Sequence, residues 1–111
     1  MSAFKRYGRV LKLKPGCEDE YKQYHAEVWE SVKEAIKKVG IRNYSIFLKN
    51  GYLFAYMELL EEKSMEEMIT ELSQNEECVR WEEIMNSMQE RIESAKPEEW
   101  WAEMEEVFHQ Y

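Results

Sequence analysis

His25 is the residue of this sequence with the clearest capacity for chemistry. It belongs to a series of residues spaced three or four apart, which places them on one face of an α-helix. An inward imidazole gives or takes a proton near neutral pH without a metal, and Tyr21 lies one turn before it on the same face. The pair therefore indicates general acid-base chemistry. The whole series is Tyr21, His25, Val28, Val32, Ala35 and Val39.

Spacing alone leaves a structural interpretation of His25 open. A histidine on a buried helix face is more often a core residue, here satisfied by a backbone carbonyl or by the Tyr21 hydroxyl. Trp81 has the same two interpretations, because a buried tryptophan either fills the core or offers a flat apolar wall to a sugar ring. The residues by themselves favour the structural role in both cases.

The composition predicts one cytoplasmic domain over residues 1–111. Hydrophobic residues at 44% and aromatics at 14% exclude disorder, and no apolar stretch is long enough to span a membrane. The start, residues 1–14, is strand-like and basic and lacks the apolar block of a signal peptide. Cys17 and Cys78 form neither a CxxC nor a zinc spacing, so we expect free thiols, no metal and no cofactor.

The charge argues against a nucleic-acid partner. The net charge is −8, whereas phosphates need a basic face. It is also uneven: residues 1–50 carry 11 Lys and Arg against 6 Asp and Glu, and residues 51–111 carry 4 against 17. Either the later helices have acidic, solvated faces, or the two halves attract each other across a subunit interface.

The elements that must position His25 follow a β-α-β-β-α-(α)-β order. We expect a strand over 4–13, one helix from 18 to 38 that Gly40 ends, and a hairpin of strands 41–48 and 52–59 around Asn50-Gly51. Ser64 and Glu67 predict a capping box for a short helix, and a third helix places Cys78 to Met88 inward. A last strand is expected over 105–109. This is the α+β, ferredoxin-like split βαβ plan, with an antiparallel sheet and helices on one face.

The predicted hairpin is apolar on both faces, which favours a homodimer. Leu53, Ala55, Met57 and Leu59 lie on one side, and Phe54 and Tyr56 on the other. One face takes the helices, and a chain this short has nothing left to cover the second.

Several segments resemble the L-rhamnose mutarotase family from the first strand to the C-terminus. The resemblance implies a dimeric α+β barrel that interconverts the anomers of a 6-deoxy-sugar, L-rhamnose first and L-fucose next. It also implies that His25 is the proton donor, that Tyr21 acts beside it, and that Tyr21, Tyr44 and Trp81 contact the sugar. The segments are the run Glu20-Tyr21-Lys22-Gln23-Tyr24-His25-Ala26-Glu27-Val28-Trp29, then Asn43-Tyr44-Ser45-Ile46, Arg80-Trp81 with Met85, and Glu106-Val107-Phe108-His109.

One departure from the family pattern falls in the expected site. Members similar to the rhamnose enzymes carry two adjacent tryptophans on the third helix, where this chain has Trp81-Glu82. Glu82 is therefore expected to contact the substrate in place of an aromatic ring, and it is one candidate for the general base, along with Tyr21 and water.

A second function remains open from the residues alone. A dimeric ferredoxin-like module that binds a hydrophobic ligand, or a cofactor-independent oxygenase, would use the same pocket. Pocket polarity separates the two, because a sugar needs several hydrogen-bonding groups that converge with His25.

Overall fold

The chain forms one antiparallel sheet covered by four helices. A computed structural model describes residues 3–111. Its elements in chain order are β1 Phe4–Leu13, α1 Glu18–Ala26, α2 Glu30–Lys38, β2 Ile41–Lys49, β3 Tyr52–Leu60, α3 Met65–Leu72, α4 Glu76–Met88, β4 Gln89–Glu90 and β5 Ala102–Met104.

The strand order confirms the α+β prediction. It is β2-β3-β1-β4, with β5 also on β1, and every pairing is antiparallel. Alternate residues of β1 and β3 point to the helices, so that Leu11, Leu53 and Leu59 are almost completely buried. The two outer strands β4 and β5 share the edge of β1 beneath α4, and this edge borders the site described below.

The predicted hairpin forms around Asn50 and Gly51. Both have positive φ, 52° and 77°, as a two-residue turn of the mirror-image type requires. Lys49 faces Tyr52 directly across the turn. The turn fixes the register from Lys49 to Ser45. Tyr44 lies in an irregularity between Arg42 and Ser45, where Asn43 has φ 49°, and it lines the cavity described below.

The single helix expected over 18–38 is wrong, because the chain breaks it between Ala26 and Glu30. Trp29 has φ −57° and ψ 135°, an extended conformation, and its ring packs against Trp81 at a centroid distance of 5.2 Å. This packing overrides the local helical pattern. The series from Tyr21 to Val39 still faces inward across the break.

The last strand is shorter and earlier than expected, at Ala102–Met104 instead of 105–109. Ala102 pairs with Val10 and is buried, whereas Val107 and Phe108 are 89% and 78% exposed. Beyond Met104 an ion pair of Glu106 with Arg6, at 2.8 Å, holds the chain beside β1. Alternation of residue types over 105–109 therefore does not reflect pairing within the chain.

The sheet face away from the helices is open and aromatic. Phe47, Tyr52 and Phe54 lie on this face and are 63%, 40% and 38% exposed. We call these three residues the open-face cluster. Within residues 3–111 no helix combines the length and apolarity needed to cross a bilayer.

Candidate active site

All five residues expected in the site line one cavity between the sheet and the helices. Its volume is about 1410 Å³. The helices α1 and α4 and the strand β2 bring the five together. The predicted residues are Tyr21, His25, Tyr44, Trp81 and Glu82.

The lining falls into two chemical groups. Helices α2 and α3 contribute mostly apolar side chains, such as Ile36, Met68 and Leu72. Polar and aromatic groups come instead from β1, α1, β2, α4 and the linker between β4 and β5. The chemistry described below belongs to this second group.

His25 is half-buried and is held by its own helix. Its Nδ1 lies 2.8 Å from the backbone carbonyl oxygen of Tyr21. A carbonyl only accepts, so Nδ1 carries the hydrogen in this contact and Nε2 stays free for another partner. The imidazole also lies against the Tyr21 ring at 4.4 Å and meets the Trp81 ring edge-on at 5.6 Å. The ring is thus fixed on three sides with one nitrogen available.

Tyr21 is held by a chain of buried hydrogen bonds. Its hydroxyl accepts a hydrogen bond of 3.0 Å from Nε2 of Gln89, and Oε1 of Gln89 accepts one of 2.8 Å from the indole of Trp100. Gln89 is only 2% exposed. Burial raises the pKa of Tyr21 well above its ordinary value, so the hydroxyl stays neutral. Tyr21 can therefore donate a hydrogen bond to a ligand but is a poor base.

Trp81 fills the core and lines the cavity at once. It is 7% exposed, and the rings of Tyr24, His25 and Trp29 pack around it at 6.0, 5.6 and 5.2 Å. All three contacts are edge-to-face, with interplanar angles of 87°, 73° and 73°. The core interpretation is therefore confirmed by this packing, and the role as a sugar wall stays a prediction.

The electrostatics of Tyr44 and Glu82 depend on Arg9. Burial raises the pKa of the Tyr44 hydroxyl, and the charge of Arg9 opposes that rise. Desolvation likewise raises the pKa of Glu82, again against the charge of Arg9. Glu82 lines the cavity and is exposed to solvent, but neighbouring protein atoms displace part of the water around its carboxyl group.

Four further site residues escape the sequence-based argument. Arg9 gives a detectable signal, since it interrupts the inward apolar alternation of β1 at Tyr7, Leu11 and Leu13. Asn86 follows Glu82 by one helical turn on the same face of α4. The other two are Gln89 and Trp100. They are connected to Tyr21 only by tertiary hydrogen bonds, and no local sequence pattern predicts these bonds.

Two buried polar atoms in the cavity lining have no partner. They are Nε of Arg9, a donor, and Oδ1 of Asn86, an acceptor, judged against residues 3–111. Buried polar groups are rarely left unsatisfied, so each such atom calls for a partner. A hydroxylated ligand supplies both, because each hydroxyl accepts as well as donates.

The described part of the chain holds no group of three or more His, Cys, Asp and Glu side chains arranged for a metal ion. The two cysteines are free thiols.

Comparison with known proteins identifies the family. The sequence profile of the L-rhamnose mutarotase family matches residues 6–110. An L-rhamnose mutarotase of Lactiplantibacillus plantarum is 35% identical, over 94% of this chain and 96% of the relative. One from Listeria monocytogenes is 43% identical, over 72% and 75%.

A solved structure agrees with the sequence comparisons. The crystal structure of an L-rhamnose mutarotase from Formosa agariphila superposes with a TM-score of 0.73 at 25% sequence identity, over 96% of this chain and 99% of the other. These matches confirm the resemblance carried by the segments around His25, Tyr44 and Trp81. The chain belongs to the L-rhamnose mutarotase family.

Proposed function

We propose that the protein is an isomerase that interconverts the α and β anomers of L-rhamnose, with L-fucose as the second candidate. The observation that carries the proposal is that polar side chains from β1, α1, β2 and α4 line one cavity together with His25. The free Nε2 of His25 shares that cavity with the unpartnered atoms of Arg9 and Asn86. Family membership supplies the reaction class and names the sugar.

The same polarity disfavours a hydrophobic ligand. An apolar ligand or an oxygenase substrate would cover the polar side chains that line the cavity without hydrogen-bonding to them, at a cost of roughly 1–3 kcal/mol for each polar group left unsatisfied. A pyranose offers hydroxyls to both atoms and an apolar ring face to Trp81.

Anomer exchange requires two proton transfers. One group protonates the ring oxygen, another removes the proton of the anomeric hydroxyl, and closure on the opposite face of the aldehyde reverses both steps. In the proposal His25 donates the proton from Nε2, and the neutral Tyr21 hydroxyl orients the sugar by donating a hydrogen bond. Tyr44, Trp81 and Glu82 complete the binding site. All the protons return to their starting groups, so the reaction needs no redox partner.

We propose that two copies associate through the open-face cluster. Three exposed aromatic side chains on one sheet face form the kind of apolar surface that a partner covers. The dimer would be the α+β barrel implied by the resemblance. The two free thiols support a reducing compartment, and we propose the cytoplasm.

Saturation-transfer NMR tests the activity and the choice of sugar together. The resonance of one anomeric proton is saturated, and the loss of intensity at the other anomer is measured with and without protein. We expect catalysed exchange with L-rhamnose, weaker exchange with L-fucose and little with D-glucose. Equal acceleration of all three sugars would contradict a specific site, and no acceleration of any would remove the proposal.

A further inference from the structure

Glu82 is a carboxylate that lines the cavity. Within residues 3–111 its side chain forms no hydrogen bond and no ion pair, and it remains exposed to solvent. Arg9 is the cation that acts on it, and Arg9 has no ion pair within 4 Å among the same residues. The carboxylate of Glu82 is thus available to a ligand, whereas the guanidinium of Arg9 donates to Sδ of Met57 at 3.9 Å and lies over the Trp101 ring at 5.5 Å.

The chemistry proposed above lacks one group. His25 provides a single free nitrogen, and its other nitrogen is committed to the carbonyl of Tyr21. Tyr21 is a neutral donor, because burial raises its pKa. Neither residue can remove the proton of the anomeric hydroxyl while His25 protonates the ring oxygen. The acceptor is therefore water or another side chain that lines the cavity, such as the carboxylate of Glu82.

We propose that Glu82 is this acceptor and that the charge of Arg9, which lines the same cavity, acts on it, an assignment that rests on the proposed mutarotase function. The protonated imidazole of His25 gives its Nε2 proton to the ring oxygen, while the carboxylate of Glu82 takes the proton of the anomeric oxygen. The bond between C1 and the ring oxygen breaks, and the anomeric oxygen becomes the aldehyde oxygen. After rotation about C1–C2, the ring oxygen attacks the other face of C1. Glu82 then returns its proton to the anomeric oxygen, and His25 recovers its own.

The placement of Glu82 on α4 supports this role. Trp81, the preceding residue, packs against the His25 ring, so this turn of α4 lies beside the imidazole. Asn86 follows one turn later, and its unpartnered oxygen lines the same cavity. A sugar held between the Trp81 ring and Asn86 would thus lie along the turn that carries Glu82.

The groups around Glu82 come from every element that borders the cavity. Only Arg9 among them lowers its pKa, and desolvation raises it. Desolvation outweighs the charge of Arg9, so the pKa of Glu82 lies above its ordinary value. The nearby titratable and charged groups are Arg9 on β1, Tyr21 and His25 on α1, Tyr44 on β2, Cys78 on α4 and Glu103 on β5. Further charges come from Lys22 on α1, Lys33 on α2, Glu66 on α3, Glu83 on α4, and Lys96, Glu98 and Glu99 on the linker.

The test compares Glu82→Gln with wild type in L-rhamnose exchange. Glutamine keeps the shape of the side chain and loses the proton acceptor, so kcat should fall on the order of 10²-fold while KM changes little. The acid limb of the pH-rate profile, where Glu82 becomes protonated, should disappear. Glu76→Gln is the matched control, since Glu76 is an exposed glutamate of α4 outside the cavity.

Arg9→Gln distinguishes an effect of the Arg9 charge on Glu82 from a purely structural role of Arg9. Loss of the positive charge should move the acid limb to higher pH, a shift that a purely structural role would not produce. An unchanged limb would overturn the role of Arg9.

The outcomes distinguish this inference from the function on which it rests. If wild type exchanges L-rhamnose and Glu82→Gln matches it, the assignment of Glu82 is overturned and the mutarotase function stands. A raised KM with unchanged kcat would make Glu82 a binding contact only, and it also overturns the assignment. If wild type itself fails to exchange the sugar, both proposals fall.

Discussion

Replacement of Gln89 tests whether the buried hydrogen-bond chain positions Tyr21. Gln89→Leu preserves the approximate size of the side chain and removes both the donor to Tyr21 and the acceptor for Trp100. Each of the two bonds contributes about 0.5–1.5 kcal/mol net to stability. The free energy of unfolding of the variant should therefore be lower than that of wild type by about 1–3 kcal/mol.

The same substitution should impair catalysis more than binding. With Gln89 absent, the Tyr21 hydroxyl is free to turn away from the position that the 3.0 Å hydrogen bond enforces. Misplacement of a catalytic contact by about 1 Å costs up to about 10²-fold in rate. We expect kcat for L-rhamnose exchange to fall roughly 10- to 100-fold.

The assay combines chemical denaturation with exchange NMR on the same samples. Stability is measured at equal protein concentrations, because association would otherwise shift the transition. Trp100→Phe is the matched control: it removes only the indole donor and leaves the contact of Gln89 with Tyr21 in place. This control should lose about 0.5–1.5 kcal/mol and retain most of its activity. If Gln89→Leu has the stability and the exchange rate of wild type, the hydrogen bonds of Gln89 do not position Tyr21.

Three further predictions concern the open face, the cavity carboxyl and the aromatic wall. Phe54→Glu places a charge in the open-face cluster and should give monomer or aggregate in sedimentation, whereas Phe54→Tyr should stay dimeric; a dimeric Phe54→Glu protein would contradict this interface. Desolvation raises the folded-state pKa of Glu82, so its contribution to stability is full below the unfolded-state value and is lost as pH rises through the folded-state value. On going from pH 4 to pH 7, the melting temperature of wild type should therefore change less favourably than that of Glu82→Gln. Equal changes in the two proteins would contradict a desolvated carboxyl. Trp81→Ala should lose roughly 3–5 kcal/mol, because the ring is 7% exposed, and any folded fraction should show a raised KM; wild-type affinity in that fraction would exclude a sugar wall.

The parts of the fold with strong local signals are predictable from the sequence. Asn50-Gly51 determines a turn whose two positive φ angles few other residues adopt, and the hairpin follows from it. Ser64 and Glu67 form the expected reciprocal capping box at the start of α3. The inward face of the first helical region is equally clear, because apolar spacing is maintained from Tyr21 to Val39.

Tertiary contacts decide the features that the sequence does not reveal. The break before Glu30 arises because the Trp29 ring packs on Trp81, a residue more than fifty positions away. Selection of Ala102–Met104 as the last strand depends on the edge of β1, where Ala102 is buried beside Val10. Local periodicity carries no information about either contact.

The candidate site shows the same division. A helix-face pattern predicts that Tyr21 and His25 face inward, and the structure places both in one cavity. Gln89 has no such pattern, because its role depends on two residues that are distant along the chain, Tyr21 and Trp100. The partner of His25 Nδ1 is the Tyr21 carbonyl, one of the two possibilities that spacing had left open.

The most direct test of the central claim measures L-rhamnose anomer exchange by saturation-transfer NMR in wild type and His25→Ala. His25 is half-buried on α1, so the variant should remain folded and should retain its association state. Loss of one positioned acid should slow the catalysed exchange by roughly 10²–10⁴-fold. Tyr21→Phe should also lose activity, and the double variant should lose little more than His25→Ala, because residues that act together are not additive. Catalysed exchange that persists at the wild-type rate in a folded His25→Ala protein would contradict the account.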